Sequence, residues 1–291
     1  MKKIPTHKGD IELPEDWMDL TEKQRRKGFE LLAMVMAGAL DPFDWQLLML
    51  QMITGYKPGK VFRSNDRAYG LTLVRDNILD NLRRLAESLD FAFSIEEENI
   101  RINYEMRDCP FELFKGLGVQ PHFVRDRLVE TNLTAGIYAD ATQIMSMVND
   151  EENTDDDRSY YMSKLARVLW RVELNAHAPE PTPVELLAVT VWFTGVALFF
   201  QEHDIYSVLF DTPSGGQVQS EGHISLGVQE IILELEKAGH RDVRNMGLLE
   251  FFDAQVKLLK DRIADAKSGG TTIADIVKKT GLSINTVSRL S

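Results

Sequence analysis

Leu186–Phe200 reads LLAVTVWFTGVALFF, with Glu185 before it and Gln201, Glu202 and His203 after it. The run has no polar stripe, so a helix built from it must be covered on every side. Its fifteen residues fall short of the roughly 18 that a membrane helix needs, and the expectation is a core helix of a helical protein. No apolar run follows the basic start Met1-Lys2-Lys3, so a signal peptide is not expected. A reducing, cytoplasmic location with no membrane partner is the resulting expectation.

Working outward, Ile224–Ala238 and Asn245–Ala266 carry long helical patterns, and Ala141–Val148 and Tyr160–Val172 carry shorter ones. Asn149–Asp157 reads as an acidic surface loop between them. Nearer the start, Thr21 and Gln24 have capping-box spacing, and Gly38 ends the helix they open. Asp41-Pro42 begins a second helix that Gly55 closes, with Trp45, Leu48, Met49 and Met52 along one face. The two form a helical hairpin over 21–56. Residues 57–70 read as a loop, and Leu73–Leu89 as a helix with Val74, Ile78, Leu82 and Leu85 inward. The apolar period then changes to two in Phe91–Ile95 and Ile100–Tyr104, which predicts a β-hairpin over 91–104. The stretch through Pro110 and Pro121 reads as loop. The fold class expected is mainly α, with one small β-hairpin and a short C-terminal helix-turn-helix-like element. Its parts are an extended segment over 1–20, a helical domain over 21–266, a linker over 267–270 and a tail over 271–291.

The 291 residues are 44% hydrophobic and 27% charged, enough for a core, and the net charge of −12 argues against a nucleic-acid binder that uses its whole surface. Cys109 is the only cysteine, so an intrachain disulfide and a thiolate zinc site are excluded, and an inert thiol is expected. The carboxylates of 150–157 are clumped without the glycine and spacing of a calcium loop. No histidine sits in HExxH, no serine in G-x-S-x-G, and neither Gly116-Leu117-Gly118 nor Gly215-Gly216 continues into a phosphate loop. A protein that is not an enzyme and carries no cofactor is the expectation. Met34, Met49 and Met52 mark a candidate partner groove on the helical hairpin, because methionine suits adaptable binding surfaces as well as cores.

The tail reads TTIADIVKKTGLSINTVSRLS over Thr271–Ser291 and resembles a DNA-binding helix-turn-helix. Ile273, Ala274 and Val277 are expected to pack its first helix, Gly281 to make the turn, Ser283 to cap the second helix, and Val287 and Leu290 to bury its inner face. Lys278, Lys279, Ser283, Asn285, Thr286 and Arg289 form the candidate nucleic-acid or docking face. The tail's net charge of +2 beside an acidic body makes weak DNA binding the most to expect.

The order of motifs is similar to that of a family of proteins from the tail-gene clusters of tailed phages and prophages. Leu13-Pro14-Glu15-Asp16-Trp17-Met18-Asp19-Leu20-Thr21 matches its Leu-Pro-x-x-Trp-x-x-Leu-Thr entry, and Leu89-Asp90-Phe91-Ala92-Phe93 its hairpin start. Asn132-Leu133-Thr134, Leu165–Arg171 with Trp170 in place of a tyrosine, Leu209-Phe210 and the helix pair over 224–266 follow in the same order. Such proteins are similar in gene position to tail-assembly chaperones. The resemblance implies a non-enzymatic assembly protein in a bacterial host, binding a helical partner such as a tape-measure protein. A DNA-binding regulator that uses the tail is the alternative.

Overall fold

The computed structural model describes residues 1–6, 9–55, 83–96, 99–104, 106, 108, 110–111, 121–124, 127–131, 133–150, 152–170, 180–210, 228–280 and 282–290. The 57–70 loop, the 73–82 part of the third helix, Cys109, Gly116–Gly118, Gly215-Gly216 and Gly281 lie outside them. The fold is mainly α. The chain divides into two compact units, Met1–Gly116 with Pro179–Trp192, and Leu117–Ala178 with Phe193–Ser291. The boundaries drawn from sequence do not follow this division.

In the first unit, β1 (Lys2–Thr6) and β2 (Gly9–Leu13) pair antiparallel, Ile4 opposite Ile11. This hairpin replaces the extended segment expected over 1–20. Pro5 hid it, although a two-stranded ribbon has a free edge on each strand where a missing N–H costs nothing. A 3₁₀ turn at Trp17–Asp19 leads to α1 (Glu22–Met36) and α2 (Pro42–Thr54). Both caps form as their spacing requires. Thr21 Oγ1 accepts from Gln24 N at 3.3 Å while Gln24 Oε1 accepts from Thr21 N at 2.9 Å, and Asp41 accepts from Phe43 N at 2.8 Å. Residues 83–87 are helical. The expected hairpin follows as β3 (Phe93–Glu96) and β4 (Asn99–Ile102), with Phe93 opposite Ile102.

The core of this unit is aromatic. Trp17 stacks on Phe29 at 4.1 Å, Phe91 meets Trp17 edge-on at 5.3 Å, and Trp45 meets Phe93 at 5.1 Å. Arg25 is buried among them on α1. Its guanidinium donates to the carbonyls of Leu20 at 2.7 Å, Pro110 at 2.8 Å, Trp17 at 3.3 Å and Met18 at 3.4 Å.

In the second unit, β5 (Pro121–Val124) and β6 (Arg127–Thr131) pair antiparallel with an irregularity between His122 and Phe123. This region was expected to be loop, and with β1–β2 it brings two hairpins beyond the one predicted. Pro121 opens β5, a strand position that tolerates proline. Thr134 caps α3 (Ala135–Val148), which packs against α4 (Asp155–Trp170). The acidic loop is shorter than expected because Asp155, Asp156 and Asp157 form the first turn of α4. Thr154 Oγ1 accepts from Asp157 N, and carboxylates are favourable at a helix N-terminus.

The apolar run lies within α5 (Pro183–Glu202), longer than expected at both ends. Thr182 caps it, and Pro183 occupies its first position. At 20 residues the helix is long and apolar enough to cross a membrane by length and composition, so length does not separate the two readings. Most of its apolar window is buried inside the protein, including Trp192, Phe193, Val196 and Phe200. Phe193, Val196 and Phe200 belong to the second unit, where Tyr138, Phe200 and Phe252 form an aromatic cluster with centroids 4.8–6.0 Å apart.

A 3₁₀ turn at Tyr206–Leu209 follows, then α6 (Val228–Lys237), a 3₁₀ turn at Val243–Asn245, α7 (Leu248–Ser268), α8 (Ile273–Thr280) and α9 (Ile284–Leu290). Arg244 holds Asp140 on α3 through two bonds of 2.8 Å. The expected linker is a closed turn. Gly269 N, Gly270 N and Thr271 N donate to Asp265, Lys267 and Ala266 carbonyls, and Gly270 takes the φ of +78° that only glycine adopts at no cost.

Two substitutions test this packing. Arg25→Met strips the donors from four carbonyls and is expected to cost roughly 2–4 kcal/mol in urea unfolding. Val196→Asp places a carboxylate at a fully buried position, and several kcal/mol of lost stability are expected from calorimetry. An unchanged melting curve for either variant contradicts the packing described.

Candidate functional site

The α1–α2 hairpin is held close by a missing side chain. A Cβ on Gly28 would lie 2.9 Å from Trp17 and 3.2 Å from Met49, and Trp45 Nε1 donates to the Gly28 carbonyl at 2.9 Å. Met49 therefore sinks to 0% exposure, which removes it from the candidate groove. Met34 stays on the surface at 43%, joined by Met36 at 54% and Leu48 at 40%. Met52 is half-buried and lines a shallow depression of about 510 Å³ with Glu22, Lys23, Arg26, Lys27 and Glu30. Sequence reading put Leu48 on the same stripe as Met49, yet α2 is rolled so that Leu48 and Met52 lie at the rim.

Ion pairs organise the rim. Arg26 binds Glu22 at 2.9 Å and Glu185 at 2.5 Å, and Lys27 binds Glu30 at 2.7 Å. Glu185 is buried, and Thr182 N donates to it at 2.7 Å. Arg26 also lies 4.3 Å over the Phe111 ring. These groups fix α1 electrostatically.

The tail forms the two helices expected. Ser283 Oγ accepts from Thr286 N at 3.1 Å, and Val287 and Leu290 are buried. Three assignments change. Thr286 is 4% exposed and receives the Ser283 hydroxyl, so it belongs to the packed side of α9. Ile273 and Ala274 are exposed, and Ile276 is buried in their place. Arg289 donates to the Asp204 carbonyl just past the end of α5. Lys278 and Asn285 are exposed and Ser283 is half-buried at the turn. Lys279 lies in α8, with its side chain outside the described ones. Both tail helices pack on α7.

One cluster had no sequence signal, because Asp253 lies far in the chain from the other two members. Tyr206 donates to Asp253 at 3.0 Å, and His203 stacks on Tyr206 at 4.7 Å while its Nδ1 accepts from Ile205 N. Burial and then the Asp253 carboxylate push the Tyr206 phenol up to about 12. Among the described residues, no group of three or more His, Cys, Asp or Glu side chains is placed to hold a metal ion. No protein-family model, curated protein or solved structure matches the chain.

The Tyr206 environment has a consequence in alkali. Folded Tyr206 keeps its proton to about pH 12, while an unfolded tyrosine releases it near 10. Its contribution to stability is full below pH 10 and is lost as pH rises through 12. Tyr138, raised by burial, acts with the same sign. Urea midpoints are expected to fall across this window, and less steeply in Tyr206→Phe. Equal slopes for the two proteins contradict the assignment.

Proposed function

We propose that the chain is a non-enzymatic assembly protein that receives an amphipathic helix of a protein partner along the α1–α2 hairpin. The observation that carries this reading is that Met34, Met36 and Leu48 are large apolar side chains left exposed on the hairpin, with Met52 half-buried in the depression. Exposed aliphatic and thioether side chains on adjacent helices are the usual floor of a helix-in-groove site. The motif order shared with tail-cluster proteins supports a tape-measure-like helical protein as the partner, in a chaperone-like role in a bacterial cytoplasm.

A DNA-binding regulator is the second reading. The packing of α8 and α9 on α7 favours it, because a two-helix reader needs a third helix behind it. The burial of Thr286 and the engagement of Arg289 leave that face with few groups for bases or phosphates.

Co-expression with a long helical protein encoded in the same gene cluster tests the first reading. The wild-type chain is expected to co-purify with it, and a Met34→Asp/Leu48→Asp variant to lose about tenfold or more in affinity. Equal recovery by both proteins refutes the groove. Sequence-specific duplex binding that Lys278→Ala weakens moves the assignment to the regulator.

A further inference from the structure

The α1–α2 hairpin carries four methionines, and the fold sorts them by depth. Met34 and Met36 are exposed on the last turn of α1, Met52 is half-buried at the rim, and Met49 is fully buried. Met49 owes its place to Gly28. Its Cε and Sδ lie 3.2 Å and 3.5 Å from the position that a Cβ on Gly28 would take, so the thioether is pressed against the α1 backbone. Trp45, one turn before Met49 on α2, donates to the carbonyl of the same glycine. An oxygen added to the Met49 sulfur would need room in a contact that leaves none for a side chain on Gly28.

The end of α1 is built differently, because its own backbone closes it. Ala37 N donates to the Ala33 carbonyl, Gly38 N to Val35, and both Ala39 N and Leu40 N to Met34, with Gly38 at a φ of +67°. These bonds are all main-chain, so they survive a change in the Met34 or Met36 side chain.

We infer that Met34 and Met36 are a reversible oxidation site for hydroperoxides, and that Met49 sets its limit. The thioether sulfur attacks the terminal oxygen of the peroxide. The O–O bond breaks as the S–O bond forms, and the proton on the transferred oxygen passes to the leaving one. The sulfur is oxidised by two electrons, and hydrogen peroxide is reduced to water. A dithiol reductase reverses the change, removing the oxygen as water while its own thiols close to a disulfide. Each cycle exchanges an apolar side chain for a polar one on the surface and leaves the packed side of α1 as it was. At Met49 the same step requires the hairpin to open, and the sulfoxide then has no seat against Gly28. The exposed pair thus reacts and recovers in the folded chain, whereas reaction at Met49 marks its unfolding. A sulfoxide on Met34 is also expected to weaken docking, a consequence that rests on the docking reading proposed above.

The test treats the full folded chain with hydrogen peroxide and follows each methionine by peptide mass spectrometry. Met34 and Met36 are expected to convert at least about tenfold faster than Met49, and the three rates to converge in urea, where burial no longer protects. Met1 and Met147, exposed elsewhere, give the surface rate for comparison. Near-UV circular dichroism is expected to stay native while Met49 is unreacted. A pair of methionine sulfoxide reductases, one for each sulfoxide epimer, is expected to restore both masses in the folded protein. Equal rates for the three in the native chain, or sulfoxides at Met34 and Met36 that resist reduction, overturn the assignment. Co-purification of the helical partner that oxidation leaves unchanged overturns the effect on docking and leaves docking standing. Absence of co-purification before oxidation overturns the docking reading, and the mass spectra still decide the oxidation site.

Discussion

Both compact units draw part of their core from one helix, Pro183–Glu202, and that helix has no side suited to water. A segment with the buried Leu186, Leu187, Ala188 and Val189 spread around its axis can persist only if neighbours are supplied on each side. In the first unit this helix also contributes Glu185, a buried carboxylate made tolerable by Arg26 and by the hydroxyl and amide of Thr182. In the second it contributes Phe193 and Phe200 to the ring cluster around Tyr138 and Phe252. The caps and turns elsewhere direct shorter elements onto these surfaces.

The surface to which we assign function follows from two constraints on α1. Arg25 collects four main-chain carbonyls beneath the helix and so places the 3₁₀ turn and Pro110 against it. Gly28 lets Trp17, Trp45 and Met49 approach its backbone closely. With Met49 drawn inside, the roll of α2 is decided, and Leu48 and Met52 are left at the rim. Leu48 and Met52 are thus the outward side of the same packing that buries Met49.

Much of this was legible in the sequence wherever the cause was local. Thr21 with Gln24 and Asp41 with Pro42 announce helix starts because each cap bonds to residues two or three positions away. The alternation of Phe91–Tyr104 announces β3–β4 for the same reason. Met49 and Met52 differ in fate because of a glycine more than twenty residues upstream, and no periodicity within α2 carries that information. Arg25 reads as a surface charge, since its partners are carbonyls and carbonyls leave no mark on a sequence. The same blindness applies to Arg289, which meets the backbone of Asp204, and to Tyr206 with Asp253, which are brought together only by folding. Proline misled at both ends of its range: Pro5 and Pro121 sit at strand positions that do not need an N–H.

The turn at Gly269 and Gly270 has a further consequence for how this chain tolerates change in length. In a linker, an added or lost residue alters only reach. Here three amides are spent on the last turn of α7, and Ile276, Val287 and Leu290 are seated on the packed side directly beyond. Advancing a helix by one residue rotates it by about 100°, so a single insertion would turn Ile276 out of its seat instead of paying out slack. Insertions and deletions should therefore be scarce at this glycine pair, although its composition is that of a spacer.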